Sequence, residues 1–136
     1  MATKSDDQLR EALEAETIAV VGCSATPGKD AHEIPKLMQE QGYEIVPVNP
    51  YAEEIFGIDP YDSLSAVEEE LDMVNVFRPS EEVSGIVDEA IEREDVDVVW
   101  TQLGISDREA GERVETAGKQ YVEDRCLKIE YRRLMG

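Results

Sequence analysis

Thr17-Ile18-Ala19-Val20-Val21-Gly22-Cys23-Ser24-Ala25-Thr26-Pro27-Gly28-Lys29 is the stretch around which the rest of the chain is organised. Ile18 to Val21 is a short apolar run rich in β-branched residues and closed by Gly22, so it reads as a buried strand. Small and turn-forming residues follow, and a helical pattern opens near Asp30. Strand, glycine-bearing turn and helix in succession present backbone N–H groups to a phosphate. The turn after Gly22 is therefore the expected ligand site.

Further units of the same kind lie on either side. Ser5 to Ala15 reads as a short polar helix, a brace with Leu9 and Leu13 four apart. The helix after the first strand should run from about Asp30, a plausible cap, to Gln41 and stop at Gly42. Pro35 should bend it. Glu44 to Val48 is a second strand, ended by Asn49-Pro50. Ser65 with Glu68 makes a capping-box pattern for a short helix. Met73 to Phe77 is a third strand, and Ser80 should cap a helix through about Arg93 whose apolar face is Val83, Ile86, Val87, Ala90 and Ile91. Val96 to Thr101, a helix opened by a Ser106–Glu109 capping box, Gln120 to Glu123 and a last helix from Leu127 to Leu134 complete the pattern. Such alternation predicts an α/β fold: one domain over 1–136, with a parallel five-stranded sheet and helices on both faces.

A length of 136 residues suits one core. Aspartate and glutamate number 32 against 13 lysines and arginines, a formal charge of −19 spread along the chain. A nucleic-acid binder needs a basic stripe, and none is visible. The acidity predicts a halophilic, salt-adapted protein, because salt screens the self-repulsion that such a surface creates. Only five of the 13 cations are lysine, which fits. Cys23 and Cys126 are too few and too far apart for a disulfide framework. No signal-peptide pattern is seen, and no apolar run nears the ~20 residues of a membrane span. A cytoplasmic protein without membrane contact is expected.

In an open parallel sheet, ligands bind beyond the carboxyl ends of the strands. Those ends are Gly22-Cys23-Ser24, Asn49-Pro50-Tyr51, Phe77-Arg78-Pro79-Ser80 and Gln102-Leu103-Gly104. They supply amides, hydroxyls, aromatics and one guanidinium, but no carboxylate pair and no histidine. This is an inventory for binding, and no catalytic residue and no metal site is expected. His32 reads as a helix residue, Cys23 and Cys126 as small residues in cramped turns, and Trp100 as core. Lys29 and Arg78, rare cations beside the crevice, are expected to assist backbone amides of the Gly22 turn in holding phosphate. The dinucleotide fingerprint is absent: Ser24 and Pro27 stand where glycines are needed, and no acid ends the second strand. An NAD(P)-dependent oxidoreductase therefore remains an alternative without its discriminating acid. A regulatory or scaffold module, with protein contact in place of nucleotide binding, is the third reading.

Ile18-Ala19-Val20-Val21-Gly22 with Ser24, Val46-Pro47-Val48-Asn49-Pro50 after Gly42-Tyr43, Val76-Phe77-Arg78, Val98-Val99-Trp100-Thr101-Gln102-Leu103-Gly104 and Asp124-Arg125-Cys126 together resemble the small stand-alone CoA-binding proteins. That family has a Rossmann-like fold similar to the CoA-binding domain of the succinyl-CoA synthetase α subunit and of ADP-forming acyl-CoA ligases. The resemblance covers roughly residues 15 to 135. It implies a Rossmann-like core over 16–136 behind the helix of 1–15, and coenzyme A or acyl-CoA as ligand. Gly22, Ser24 and Lys29-Asp30-Ala31 would surround the diphosphate. Val48, Asn49 and Pro50 would line the adenosine end, with Phe77, Arg78 and Pro79 under the nucleotide. Gln102 and Leu103 would lie near the pantetheine. The phosphohistidine domain of the ligases has no counterpart here, so the resemblance implies binding without ligase activity. A protein partner is compatible with this reading.

Overall fold

Four of the five strands are short runs dominated by valine and isoleucine, buried on both faces, as a sheet covered by helices on each side requires. In the computed structural model, which describes residues 5–135, these are β1 (Thr17–Val21), β2 (Glu44–Val48), β3 (Met73–Val76), β4 (Val98–Thr101) and β5 (Gln120–Val122). The two ends of the expected 1–136 span lie outside the described residues. All four strand pairs are parallel, in the order β2-β1-β3-β4-β5. The helices are α1 (Asp6–Ala12), α2 (Asp30–Glu40), α3 (Ser80–Ile91), α4 (Arg108–Thr116) and α5 (Leu127–Leu134), with a single 3₁₀ turn at Leu64–Ala66. This is the expected Rossmann-like α/β arrangement.

The strand period of two splits the core. Ala19, Val21, Val74, Val76 and Val99 face α3 and α4 and meet Val83, Val87, Ala110 and Val114. Ile18, Val20, Met73, Val98 and Trp100 face the other way and meet Leu9, Leu13, Ile34, Met38 and Leu127 from α1, α2 and α5. Leu9 and Leu13, expected on a brace, are fully part of this second core. Pro47 is tolerated because β2 is an edge strand.

Local signals were less reliable at the helix ends. No helix forms on the Ser65–Glu68 pattern. The segment makes only the 3₁₀ turn, and the Ser65 amide and hydroxyl both donate to Glu89 Oε1, at 2.9 and 2.8 Å. Ser80 is the first residue of α3, with Pro79 at its cap; the Ser80 hydroxyl instead accepts from the Ser106 amide at 3.0 Å. Ser106 does not cap α4 either; Asp107 stands at the cap, and its carboxylate accepts from the Ala110 N–H. Lys29, with no side-chain hydrogen bond, stands at the cap of α2 in place of Asp30. A capping box not read from the sequence opens α1, where Ser5 and Gln8 exchange hydrogen bonds.

Pro35 stays inside α2. Its missing N–H leaves the carbonyl of Ala31 without the usual intrahelical donor. The Ser24 amide fills that vacancy at 2.9 Å and ties the β1 turn to the helix it feeds.

Among the described charged residues, Glu130 alone is buried, and it pairs with Arg133 at 2.6 Å. The other acids reach the surface, where repulsion among them depends on ionic strength. The melting temperature is expected to rise as KCl is raised from dilute buffer toward molar, as the Debye length shrinks to ~3 Å at 1 M. A melting temperature flat or falling with KCl, read by circular dichroism, would count against salt adaptation. No helix among the described residues is long and apolar enough to cross a membrane.

Candidate ligand-binding site

From β1 the chain crosses to β2 on one side, and later returns to β3 on the other. The crevice left at such a reversal is where open α/β sheets bind ligands. Here it is a cavity of about 500 Å³. Val21 and Gly22 form its floor with Val48, Asn49, Pro50 and Tyr51 from the end of β2. Arg78 lines it from the end of β3, and Glu82, Ile86 and Glu89 from α3; Asp62, Ser63 and Leu64 complete it.

Gly22 sits at the closest approach of two turns. Its φ is +90°, and a Cβ there would lie 2.8 Å from Arg78 Cδ and 3.2 Å from the Phe77 carbonyl carbon. Only glycine fits both the backbone conformation and the space. Asn49 braces the same region. Its Nδ2 donates to the Cys23 carbonyl at 2.9 Å, and its Oδ1 accepts from the Tyr51 amide at 2.8 Å. Asn49 thus joins the ends of β1 and β2, and leaves Tyr51, 89% exposed, standing over the cavity.

The turn after Gly22 differs in one respect from the expected phosphate cradle. Several of its amides have internal partners: Gly22 donates to the Val48 carbonyl, Ser24 to Ala31 and Lys29 to Thr26. Thr26 donates to Ser24 Oγ and Gly28 to Glu33 Oε2. The Gly28 bond is the main reason the Glu33 carboxyl sits below its ordinary range. The amides of Asp30 and Ala31, the first two residues of α2, have no acceptor within the helix. His32 supports this corner: its Nδ1 lies 2.7 Å from the Ser24 carbonyl and its ring packs 5.0 Å from that of Phe56.

Arg78 is not free. Its Nε and Nη2 donate to the two carboxylate oxygens of Glu82, at 3.1 and 2.7 Å. The paired hydrogen bonds hold the guanidinium above its ordinary range and the Glu82 carboxyl below.

Ser24, Lys29, Asp30 and Ala31 do not line the cavity, and neither do the remaining expected residues. Phe77 packs against the opposite core, with α2 and α5. Pro79 is the exposed cap of α3. Gln102 is 5% exposed, and its Oε1 accepts from the Leu127 N–H at 3.3 Å, so it serves the start of α5. Leu103 is exposed beside it. Trp100 is fully buried, and its Nε1 donates to the Arg125 carbonyl at 2.9 Å. Cys23 and Cys126 are both buried and unbridged. Burial pushes the Cys23 thiol up to about 12, where it is a poor nucleophile. Among the described residues no group of histidine, cysteine and acidic side chains could hold a metal ion.

The residues that sequence reading missed are Asp62, Ser63, Leu64, Glu82, Ile86 and Glu89. The last three were accessible as one stripe of α3, spaced four and three apart below Arg78. Asp62 to Leu64 carried no such signal, because a long loop returns them to the β2 edge through the Val48–Tyr61 bridge.

Comparison with known proteins agrees with this architecture. Residues 16–132 match the CoA binding domain family. The Bacillus subtilis protein YneT is 37% identical over 132 residues, 96% of this chain and 97% of its own length. A solved structure from Thermus thermophilus, cell-free ID.343, has a TM-score of 0.89 at 38% identity, and the match covers 96% of this chain and 99% of that one. Acetate–CoA ligase (ADP-forming) II of Archaeoglobus fulgidus is 31% identical over 123 residues, which is 89% of this chain but 17% of the ligase. With most of its length matched by the family and nearly all of it by a small relative, the chain belongs to the CoA binding domain family.

Proposed function

We propose that this protein binds CoA or acyl-CoA through the ADP and diphosphate portion, in the crevice at the carboxyl ends of β1, β2 and β3, and performs no chemistry of its own. The observation that carries the reading is the cavity at the reversal of strand order, walled by Val48 to Tyr51 and Ile86, with Gly22 of the turn that leads to α2 in its lining. In this reading the adenosine enters the cavity, where Tyr51 and Ile86 offer apolar surface. The diphosphate meets the amides of Asp30 and Ala31 at the positive end of the α2 dipole, with Lys29 adjacent. Pantetheine then runs outward past Leu103. Family membership supports the ligand, and a lining that among the described residues holds no nucleophile paired with a base supports binding without turnover. Two unbridged cysteines support a reducing, cytoplasmic setting.

Calorimetric titration with CoA and with NAD in molar KCl tests the proposal. CoA is expected to bind and NAD to bind far more weakly. Arg78→Ala should weaken CoA by about 1.5–2 kcal/mol, the low end for a hydrogen bond to a charged group, because Glu82 already shares the guanidinium. Lys29→Ala should weaken it by less, since an exposed ammonium acts as a screened point charge. Preference for NAD, no nucleotide binding at all, or acyl-CoA hydrolysis by the pure protein that is lost in Cys126→Ala would each overturn this reading.

A further inference from the structure

The cavity between β2, β1 and α3 has an unusual lining for a site that receives a phosphorylated ligand. Its one cation is Arg78, against the three carboxylates Asp62, Glu82 and Glu89. Glu82 already occupies the Nε–Nη2 edge of that guanidinium and offsets its charge. Glu89 is fixed in place by the amide and hydroxyl of Ser65, and Asp62 is an exposed side chain at the mouth. Such carboxylates accept hydrogen bonds from hydroxyl groups. A phosphomonoester offers only acceptors and negative charge, and like charges a few ångströms apart in a partly enclosed site oppose each other strongly.

We infer that, among pantetheine-bearing ADP ligands, this cavity favours those whose ribose carries free hydroxyl groups, and that Asp62, Glu82 and Glu89 disfavour a ribose 3′-phosphate. The inference rests on the reading that the adenosine end occupies the cavity. Ribose hydroxyls donate to Asp62 or Glu89 at the mouth. The 3′-phosphate of CoA meets there only a guanidinium whose charge Glu82 already offsets, and must either face the three acids or turn out to solvent. The cations Lys36 and Lys128, which act electrostatically on Glu33 of α2, are not among the residues that line the cavity. The charge on the crevice is thus divided, with anionic ligand groups welcome at α2 and unwelcome at α3.

Calorimetry with CoA and dephospho-CoA, which differ only in the 3′-phosphate, tests this at about 0.15 M and about 1 M KCl, where the Debye length is ~8 and ~3 Å. Dephospho-CoA is expected to bind about tenfold more tightly than CoA at the lower salt, with the gap narrowing at the higher. Asp62→Lys reverses one charge on an exposed side chain and should bring the ratio to one or below, with the melting temperature as control for folding. Asp62→Asn should move it part of the way. Equal or tighter binding of CoA by the parent protein, or a ratio unmoved by Asp62→Lys, overturns the selectivity while leaving the adenosine site standing. Failure of both ligands to bind the parent at either salt removes the adenosine reading, and the selectivity with it.

Discussion

Gly22→Val is expected to abolish CoA binding and to lower the melting temperature by roughly 10 °C. The sequence alone suggests a purely local effect, a branched side chain intruding where a diphosphate approaches. The structure adds a second. Gly22 has φ +90°, and its would-be Cβ meets Arg78 and the Phe77 carbonyl carbon rather than open space. Holding a β-branched residue in that conformation costs on the order of 1–3 kcal/mol, and the displaced Arg78 adds to it. At roughly 4 °C per kcal/mol for a chain of this size, the shift is readily measured. Movement of Arg78 would also break its paired hydrogen bonds to Glu82 and close part of the cavity. Calorimetry well below the melting temperature separates the two effects. A variant that melts like its parent and still binds CoA would show that the close approach of the β1 and β3 turns is not needed.

Trp100→Ala should destabilise the fold more than any change at the site. Trp100 is completely buried among Ile18, Met73, Val98 and Leu127 on one face of the sheet. Truncating such a side chain costs about 3–5 kcal/mol in lost burial and cavity formation. Two local features push the value upward. The indole N–H holds the Arg125 carbonyl, so the β5–α5 connection loses an anchor. Its fully buried strand neighbour Asn75 donates through Nδ2 to the Trp100 carbonyl at 3.2 Å, so a shift of the β4 backbone around the gap would also strain that bond. Trp100→Phe keeps most of the packing and removes only the hydrogen bond, so it should cost about 1 kcal/mol plus a smaller cavity. Urea unfolding of the two variants checks the order. A Trp100→Ala protein within about 1 kcal/mol of the parent would mean that this core relaxes around the gap.

The strands, their order along the chain and the parallel α/β class were legible because burial on both faces leaves a direct mark. Runs such as Ile18 to Val21 and Val98 to Trp100 have no room for polar alternation. The helix caps were less legible. Ser80, Ser106 and Ser65 each look like a cap, yet the Ser80 hydroxyl accepts from the distant Ser106 amide, and the Ser65 hydroxyl donates to Glu89. A serine hydroxyl is satisfied by whichever group the fold brings near, so a capping pattern identifies a donor and acceptor without naming the partner.

The sequence by itself determined that the β1 turn, the end of β2 and the end of β3 converge, because parallel strands that alternate with helices put their carboxyl ends on one side. It determined Gly22, Asn49, Pro50 and Arg78 as members of that convergence. Only the tertiary structure decided how they stand there. It engages Arg78 with Glu82, closes the Ser24 amide onto the carbonyl that Pro35 leaves vacant, and turns Phe77 and Gln102 into the opposite core and the start of α5. It also brings Asp62 and Glu89 to the cavity from segments with no shared motif. Membership of a crevice follows from topology, which hydrophobic pattern encodes. The hydrogen-bonding state of each side chain follows from competition among neighbours far apart along the chain, and that competition is resolved only when they meet.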